Sequence, residues 1–404
     1  MHFGIDQLTG SSRSRLRRRL REARVGALTH AAAVDRRGRS LLDTLEDLGA
    51  SPSLVLTPEH GLDGVAQAEE AVDSPAPAED GPKVVSLYGK TRESLTPQSS
   101  DLEQVEMLVI DLVDVGSRYY TYAWTALLTV RAAAQAGVHC VVLDRPNPIS
   151  GDPGQAEGMP QEADYLSFVG LEPLPIRHCL TIGELLAHFA ARDGLNLGPD
   201  GALSVLPCAG WERHRSAQAW RRPFSPPSPN MPTYETALVY PGGCLLEGTN
   251  LSEGRGTTLP FQLVGAPFLD AEQLAREFAE FGIAGAQIRP AHFRPSFEKH
   301  AGKVCHGVFL QVTEPSLFRP VTAYLALISL AQRQAPTEFE FLTRAYEFET
   351  EKLAFDLLTG SEKARDAIVS GASLHEIVEL VAPPPATWAA EVRAAEERLI
   401  VANA

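Results

Sequence analysis

The chain has 404 residues, too many for one ordinary compact domain and enough for two. Hydrophobic residues make up 44% and charged residues 22%, the balance of a globular protein with a substantial core. The net charge of −15 repels phosphate backbones and argues against a nucleic-acid partner. No apolar run approaches the ~20 residues of a membrane helix, so no membrane partner is expected. Five scattered cysteines without CxxC spacing give no disulfide framework and no structural zinc site.

The chain begins MHFGIDQLTG, without the apolar stretch of a secretion signal, and as given reads as cytoplasmic, with export left open. The arginine-rich run 13–24 reads as a helix that turns Leu16, Leu20 and Ala23 to a core and its arginines to water. Short apolar runs follow at 25–30, 53–57, 83–88, 107–112 and 139–144, rich in Val, Leu and Ile with little polar alternation. Strands buried on both faces have that composition. Helical patterns lie between them, at 40–49 and at 122–137, the latter stopping at Gly137. Thr181 and Glu184 form a capping-box signature opening a helix over 181–192, and 203–211 reads as another strand. This alternation predicts an α/β fold: a doubly wound, Rossmann-like parallel sheet. The proline-dense segment 221–233 can be neither helix nor central strand and suggests a boundary. Residues 1–228 then form the catalytic domain and 229–404 a smaller α/β domain that completes a cleft. The second part opens with a glycine-rich stretch, 240–261. It continues with a helix at 270–282, a strand at 305–313, a helix at 321–334 and a last helix at 387–402.

Ligands of open α/β sheets bind beyond the carboxyl ends of the strands. Pro58-Glu59-His60-Gly61 follows the second run, Asp114 to Arg118 the fourth, and Arg145-Pro146-Asn147-Pro148 the fifth; two runs themselves end in Asp111 and Asp144. Carboxylates near arginine and histidine suit general acid–base chemistry, and a pair flanking a glycosidic bond suits its hydrolysis. Blander readings compete: Asp111 and Asp144 as helix N-caps, Asn147 as a turn former, His60 as a backbone-bonded histidine. In the second part Glu247, Asn250, Glu253 and Arg255 sit among glycines that permit close approach to a ligand, or form a surface turn cluster. No dinucleotide fingerprint, P-loop, nucleophile elbow or clustered histidine set appears, so neither cofactor nor metal is expected.

The segments TPEHGLDG (57–64), SLYGKTR (86–92), DVGSRYYTY (114–122), LDRPNPISG (143–151), SFVG (167–170), PSPNMPT (227–233), YPGGCLLEGTNLSEGRGTTLPF (240–261) and HAGKVCHGV (300–308) resemble the exo-β-N-acetylmuramidase (NamZ) family, glycoside hydrolase family 171. The resemblance runs from about residue 4 to near the C-terminus. It implies removal of N-acetylmuramic acid from non-reducing ends of peptidoglycan fragments, in a cleft between a Rossmann-like domain and a smaller one. It implies Glu59 as the catalytic acid, with His60 beside it. On that basis Asp114 or Asp111 is the expected second carboxylate. Arg118, Arg145 or Arg255 is expected to bind the lactyl carboxylate, and Tyr119 and Tyr122 to stack on the sugar. Asp144, Asn147, Asn230, Glu247, Asn250 and Glu253 complete the candidate binding set. The chain departs from the family pattern at Thr29-His30, where a Thr-Asn turn is usual, at Val113, where Gln is common, and at Cys179, where an Arg-His-Gly turn is usual. Family members are often exported. The competing functions are a non-catalytic muropeptide- or sugar-binding protein and a metal-dependent hydrolase of another carboxylated substrate.

Overall fold

The structure, a computed structural model, describes residues 1–8, 14–76 and 81–403. Six strands form one wholly parallel sheet: β1 (Val25–Thr29), β2 (Leu54–Thr57), β3 (Lys83–Ser86), β4 (Met107–Asp111), β5 (His139–Leu143) and β6 (Leu203–Leu206). Their spatial order is β3-β2-β1-β4-β5-β6, the doubly wound Rossmann order, so the sheet reverses direction between β1 and β4.

Successive side chains of a strand point to opposite faces, which divides the core in two. Val25, Ala27, Met107, Val109, Val141 and Leu143 pack with Leu20, Leu41 and Leu45 from the helices Ser14–Glu22 and Leu41–Asp47. Leu28, Leu54, Leu56, Leu108, Ile110, Cys140 and Val142 pack on the other face with Trp124, Leu127 and Phe189, from the helices Tyr122–Gln135 and Ile182–Arg192. The arginine-rich run folds as expected where it is described: Leu20 is fully buried, and Leu16 and Ala23 pack at its edge. Arg13 lies outside the described residues. The capping box of the helix Ile182–Arg192 is present, and Gly137 ends the helix before β5 in the left-handed conformation (φ 71°). The strand expected over 203–211 stops at Leu206, ahead of Pro207.

The second part holds a three-stranded antiparallel sheet of β7 (Leu263–Ala266), β8 (Ala286–Phe293) and β9 (Cys305–Val312), in the order β7-β9-β8. Val264, Val308 and Leu310 of this sheet belong to the same apolar core as Trp124 and Phe189, so the two parts share one interior. Two of these strands give no strong pattern. β8 contains Pro290, which only an edge strand tolerates, and β7 is four residues long.

The glycine-rich opening of this part is helical. Tyr234–Gly243 is an α-helix containing Pro241 and Gly242, and Cys244–Gly248 continues it as a 3-10 turn. The glycines serve close packing: a Cβ at Gly242 would collide with the Pro320 carbonyl oxygen, and one at Gly248 with the Phe355 amide. Among the described residues no helix is long and apolar enough to cross a membrane. Gly242→Ala is expected to cost about 1–3 kcal/mol, as overpacked sites do. A drop in thermal midpoint with unchanged far-UV helicity checks it; an unchanged midpoint would show that the two helices do not meet this closely.

Candidate active site

Glu59 follows Pro58, the first residue after β2. His60 and Gly61 then turn the chain through two left-handed residues, φ 70° and 77°. A histidine in that region is strained and held by its surroundings; its Nδ1 bonds the Ala66 carbonyl at 2.8 Å. The Glu59 carboxylate is buried. Its Oε2 accepts from the Thr121 hydroxyl at 2.6 Å, its Oε1 accepts weakly from the Glu69 amide at 3.4 Å, and His60 Nε2 stands 3.9 Å away. Tyr122, fully buried, places its hydroxyl 3.1 Å from the Glu59 carbonyl and 3.0 Å from the Pro227 carbonyl. It pins the loop after β2 to the proline-rich strap rather than offering a face to a sugar.

Glu59 opens into a pocket between the two parts of the chain, with roughly 460 Å³ of empty space when the adjoining open solvent is included. His60, Tyr119 and Thr121 line it from the first part and Asn230 from the strap, which Asn230 fastens to Gln67 at 2.8 Å. Glu247, Arg255 and Glu347 close it from the second part. Arg255 pairs with Glu247 at 3.0 Å and Glu253 at 3.2 Å; burial opposes its charge, and the two carboxylates outweigh that and hold it protonated. Among the described residues its Nε has no partner. Glu253 itself is tied up by Arg255 and by Lys299 at 2.7 Å.

The other expected site residues do different work. Asp111 and Arg145 form a closed, two-bonded pair (2.5 and 2.9 Å), with Arg145 also donating to the Val34 carbonyl. Asp144 accepts from the Thr181 hydroxyl and the Gly183 amide, both at 2.8 Å, so it anchors the start of the helix Ile182–Arg192. Asn147 is a turn former: its Oδ1 accepts from the Ile149 and Ser150 amides and its Nδ2 donates to the Leu180 carbonyl. Arg118 is buried and spends its guanidinium on the carbonyls of Met159, Leu174 and Leu358. Asn250 bonds the backbone of Glu338 and Glu340, away from the pocket.

Asp114 lies elsewhere too. It lines a second cavity, with roughly 830 Å³ of empty space when the adjoining open solvent is included, in the crevice where the sheet reverses, beside Arg145, Arg222 and Trp220. Burial pushes its carboxyl up to about 7, against the Gly116 amide that stabilises the charge. The fold rule and sheer size favour this crevice as the ligand site. The chemistry favours the Glu59 pocket, because the arginines Arg145 and Arg222 of the crevice are already paired, Arg145 with Asp111 and Arg222 with Asp6 at 3.0 Å.

The sequence reading missed Glu347. It sits in a two-residue turn closed by reciprocal bonds between the Tyr346 and Glu349 backbones, both 2.9 Å, with Glu347 and Phe348 at φ 47° and 67°. This is the type I′ form, which normally takes Asn-Gly. Two non-glycine residues there cost about 1–3 kcal/mol each. Tyr88 donates to Glu347 at 2.8 Å. Glu69 was missed as well; burial, then the charge of Glu247, raises it to about 7, although Arg344 pairs with it at 3.4 Å.

The departures from the family pattern have structural counterparts. His30 Nε2 accepts from the Val113 amide at 3.1 Å, so two of the altered positions touch and join the ends of β1 and β4. Burial, then the charge of Arg145, lowers His30 to about 3 and keeps it neutral. Cys179 occupies a left-handed position (φ 61°), where a glycine would be relaxed.

A parallel Rossmann sheet joined to a smaller part with an antiparallel sheet, with a buried glutamate in the pocket between them, defines a two-part α/β protein. The chain belongs to the exo-β-N-acetylmuramidase NamZ family: the family's N-terminal model matches residues 25–235 and its C-terminal model residues 238–395. It is 39% identical over 379 residues to the peptidoglycan β-N-acetylmuramidase NamZ of Bacillus subtilis (strain 168), covering 93% of this chain and 86% of that one. Two crystal structures of DUF1343 family proteins from Bacteroides fragilis NCTC 9343 share the fold. One has a TM-score of 0.82 at 26% identity, covering 98% of each chain; the other has 0.67 at 25%, covering 100% of this chain and 98% of that one.

The geometry makes Asp111 and Arg145 a structural pair. Arg145→Met is expected to cost about 3–5 kcal/mol by leaving Asp111 buried and unpaired, with much of the loss recovered in Arg145→Met/Asp111→Leu. Denaturant unfolding of the three variants checks this. Additive losses would show that the two groups act independently.

Proposed function

We propose that this protein is an exo-acting glycoside hydrolase that releases N-acetylmuramic acid from non-reducing ends of peptidoglycan fragments. The observation that carries the reading is the buried Glu59, fixed by Thr121 and Tyr122 and facing a pocket that also holds Arg255. Family membership and the named activity of the Bacillus subtilis relative support it. The boundary near residues 228 and 229 belongs to the same proposal: 1–228 carries Glu59, and 229–404 carries the residues that close over it.

Hydrolysis of a glycosidic bond needs a proton on the departing oxygen as the bond to C1 breaks. Glu59 is the acid that delivers it. Thr121 holds one carboxyl oxygen, so the other is oriented toward the substrate. Of the three arginines proposed for the lactyl carboxylate, Arg255 is the one that lines this pocket. His60, held by Ala66, orients the Glu59 loop.

The test is nitrophenol release from para-nitrophenyl β-N-acetylmuraminide beside the N-acetylglucosaminide, with and without chelator. Release from the muraminide, unaffected by chelator, is expected. Glu59→Gln is expected to lower kcat by about 10²–10⁴-fold with an unchanged circular dichroism spectrum. Full activity in that variant would remove Glu59 as the acid, and equal release from both sugars would remove the lactyl group as the recognised feature.

A further inference from the structure

Among the described residues the pocket is lined by three carboxyls, Glu59, Glu247 and Glu347, and by one guanidinium, Arg255. Arg255 already contacts two carboxylates, Glu247 at 3.0 Å and Glu253 at 3.2 Å. A single cation set against two anions has no net attraction left for a third. An anionic ligand therefore needs a further positive charge near Arg255.

Lys299 supplies it from outside the pocket. Its ammonium pairs with the second oxygen of Glu253 at 2.7 Å, while Arg255 holds the first. It also donates to the carbonyls of Leu246 at 2.8 Å and Thr249 at 3.0 Å, on either side of Glu247 and Gly248. Glu247, Glu253, Arg255 and Lys299 then balance, two charges of each sign. The remaining oxygen of Glu247 accepts from the Tyr346 hydroxyl at 2.7 Å.

The loop that presents Lys299 is strained. It joins β8 to β9, and Lys299 lies between Glu298 and His300, both left-handed at φ 62° and 60°. Such strain persists where the surroundings dictate it. Here the surroundings are the stretch that carries Glu247 and Arg255. His300 Nε2 donates to the Asn250 carbonyl at 2.7 Å, and the Ser296 amide and hydroxyl both donate to the Gly256 carbonyl, at 3.0 and 2.9 Å. A Cβ on Gly256 would meet the Ser296 and Phe297 amides at 2.7 Å, so the two segments lie in close contact.

We propose that Lys299 is the positioning residue that lets Arg255 receive the carboxylate of the substrate: by balancing Glu253, it leaves Arg255 facing the single carboxylate of Glu247. This rests on the reading of Arg255 as the partner of the lactyl carboxylate. Neither Glu253 nor Lys299 lines the pocket, so their effect on a ligand passes through Arg255. Burial pushes the Glu253 carboxyl up, and Lys299 and then Arg255 outweigh burial and bring it below its usual range, in keeping with a carboxylate held by both cations.

Titration calorimetry with N-acetylmuramic acid and with its methyl ester, which lacks the negative charge, tests this. Lys299→Met leaves two carboxylates to one guanidinium and is expected to weaken the acid roughly tenfold or more, and the ester little. Lys299→Arg keeps the charge and is expected to bind the acid nearly as wild type does. Lys299→Met/Glu253→Gln removes one charge of each sign and is expected to regain most of the lost affinity. In turnover of para-nitrophenyl β-N-acetylmuraminide, the loss in Lys299→Met falls on KM rather than on kcat. Equal weakening of acid and ester, or no recovery in the double variant, would make Lys299 a brace for the fold and overturn the proposal. Arg255→Met separates the proposal from the reading beneath it. Unchanged binding of the acid there would remove Arg255 as the partner of the carboxylate, and the proposal with it. Weakened binding there, beside unchanged binding in Lys299→Met, would overturn the role of Lys299 alone.

Discussion

One phenol hydroxyl holds the site together. Tyr122 has a single proton to give and two carbonyls within reach, Glu59 at 3.1 Å and Pro227 at 3.0 Å. The first belongs to the loop after β2, the second to the proline-rich strap that leads into the second part. Neither loop has a regular partner for these carbonyls, and an unmet carbonyl in a dry interior is expensive. Tyr122 lies at the start of the helix that covers the sheet, and its ring packs against His30, His60 and Tyr120. The position of Glu59 is therefore coupled to the sheet, the helix and the strap at once. This gives a catalytic carboxyl the precision that a free loop would not.

The buried charges fall into two kinds. Asp111 with Arg145, Asp144 at a helix start, and Arg118 on three carbonyls are each saturated by neighbours and cannot reach a ligand without giving up those bonds. Glu59 and Glu347 are not saturated by cations, and they share a cavity. The contrast explains why the crevice at the sheet reversal, which is the roomier cavity and the customary ligand site of this fold, is read as secondary. Here Glu59, the proposed acid, leaves the sheet one strand over, after β2, and the second part closes on it from that side.

Much of the first part was legible because strands buried on both faces leave continuous apolar runs, and because Pro58 and Gly61 mark the loop after β2 as conformationally fixed. The helix at 234–243 was not legible: Pro241 and two glycines read as a loop, and the reason they are tolerated is a tight crossing with Pro320 that no local pattern records. Asp111, Asp144, Arg118 and Arg145 looked like site residues because a sequence shows charge at a strand end without showing the carbonyls and partners that absorb it. Glu347 was hidden for the opposite reason. It is one of several glutamates between 338 and 351, and its turn breaks the glycine preference by which a type I′ turn is usually found.

The central claim is that substrate binds in the pocket shared by both parts. The most direct measurement is a crystal structure of the Glu59→Gln variant with a bound N-acetylmuramyl substrate. The account predicts the muramyl ring between the substituted side chain at position 59 and Glu347, with its carboxylate at Arg255. A ring seated instead in the crevice of Asp114, Arg222 and Trp220 would contradict it.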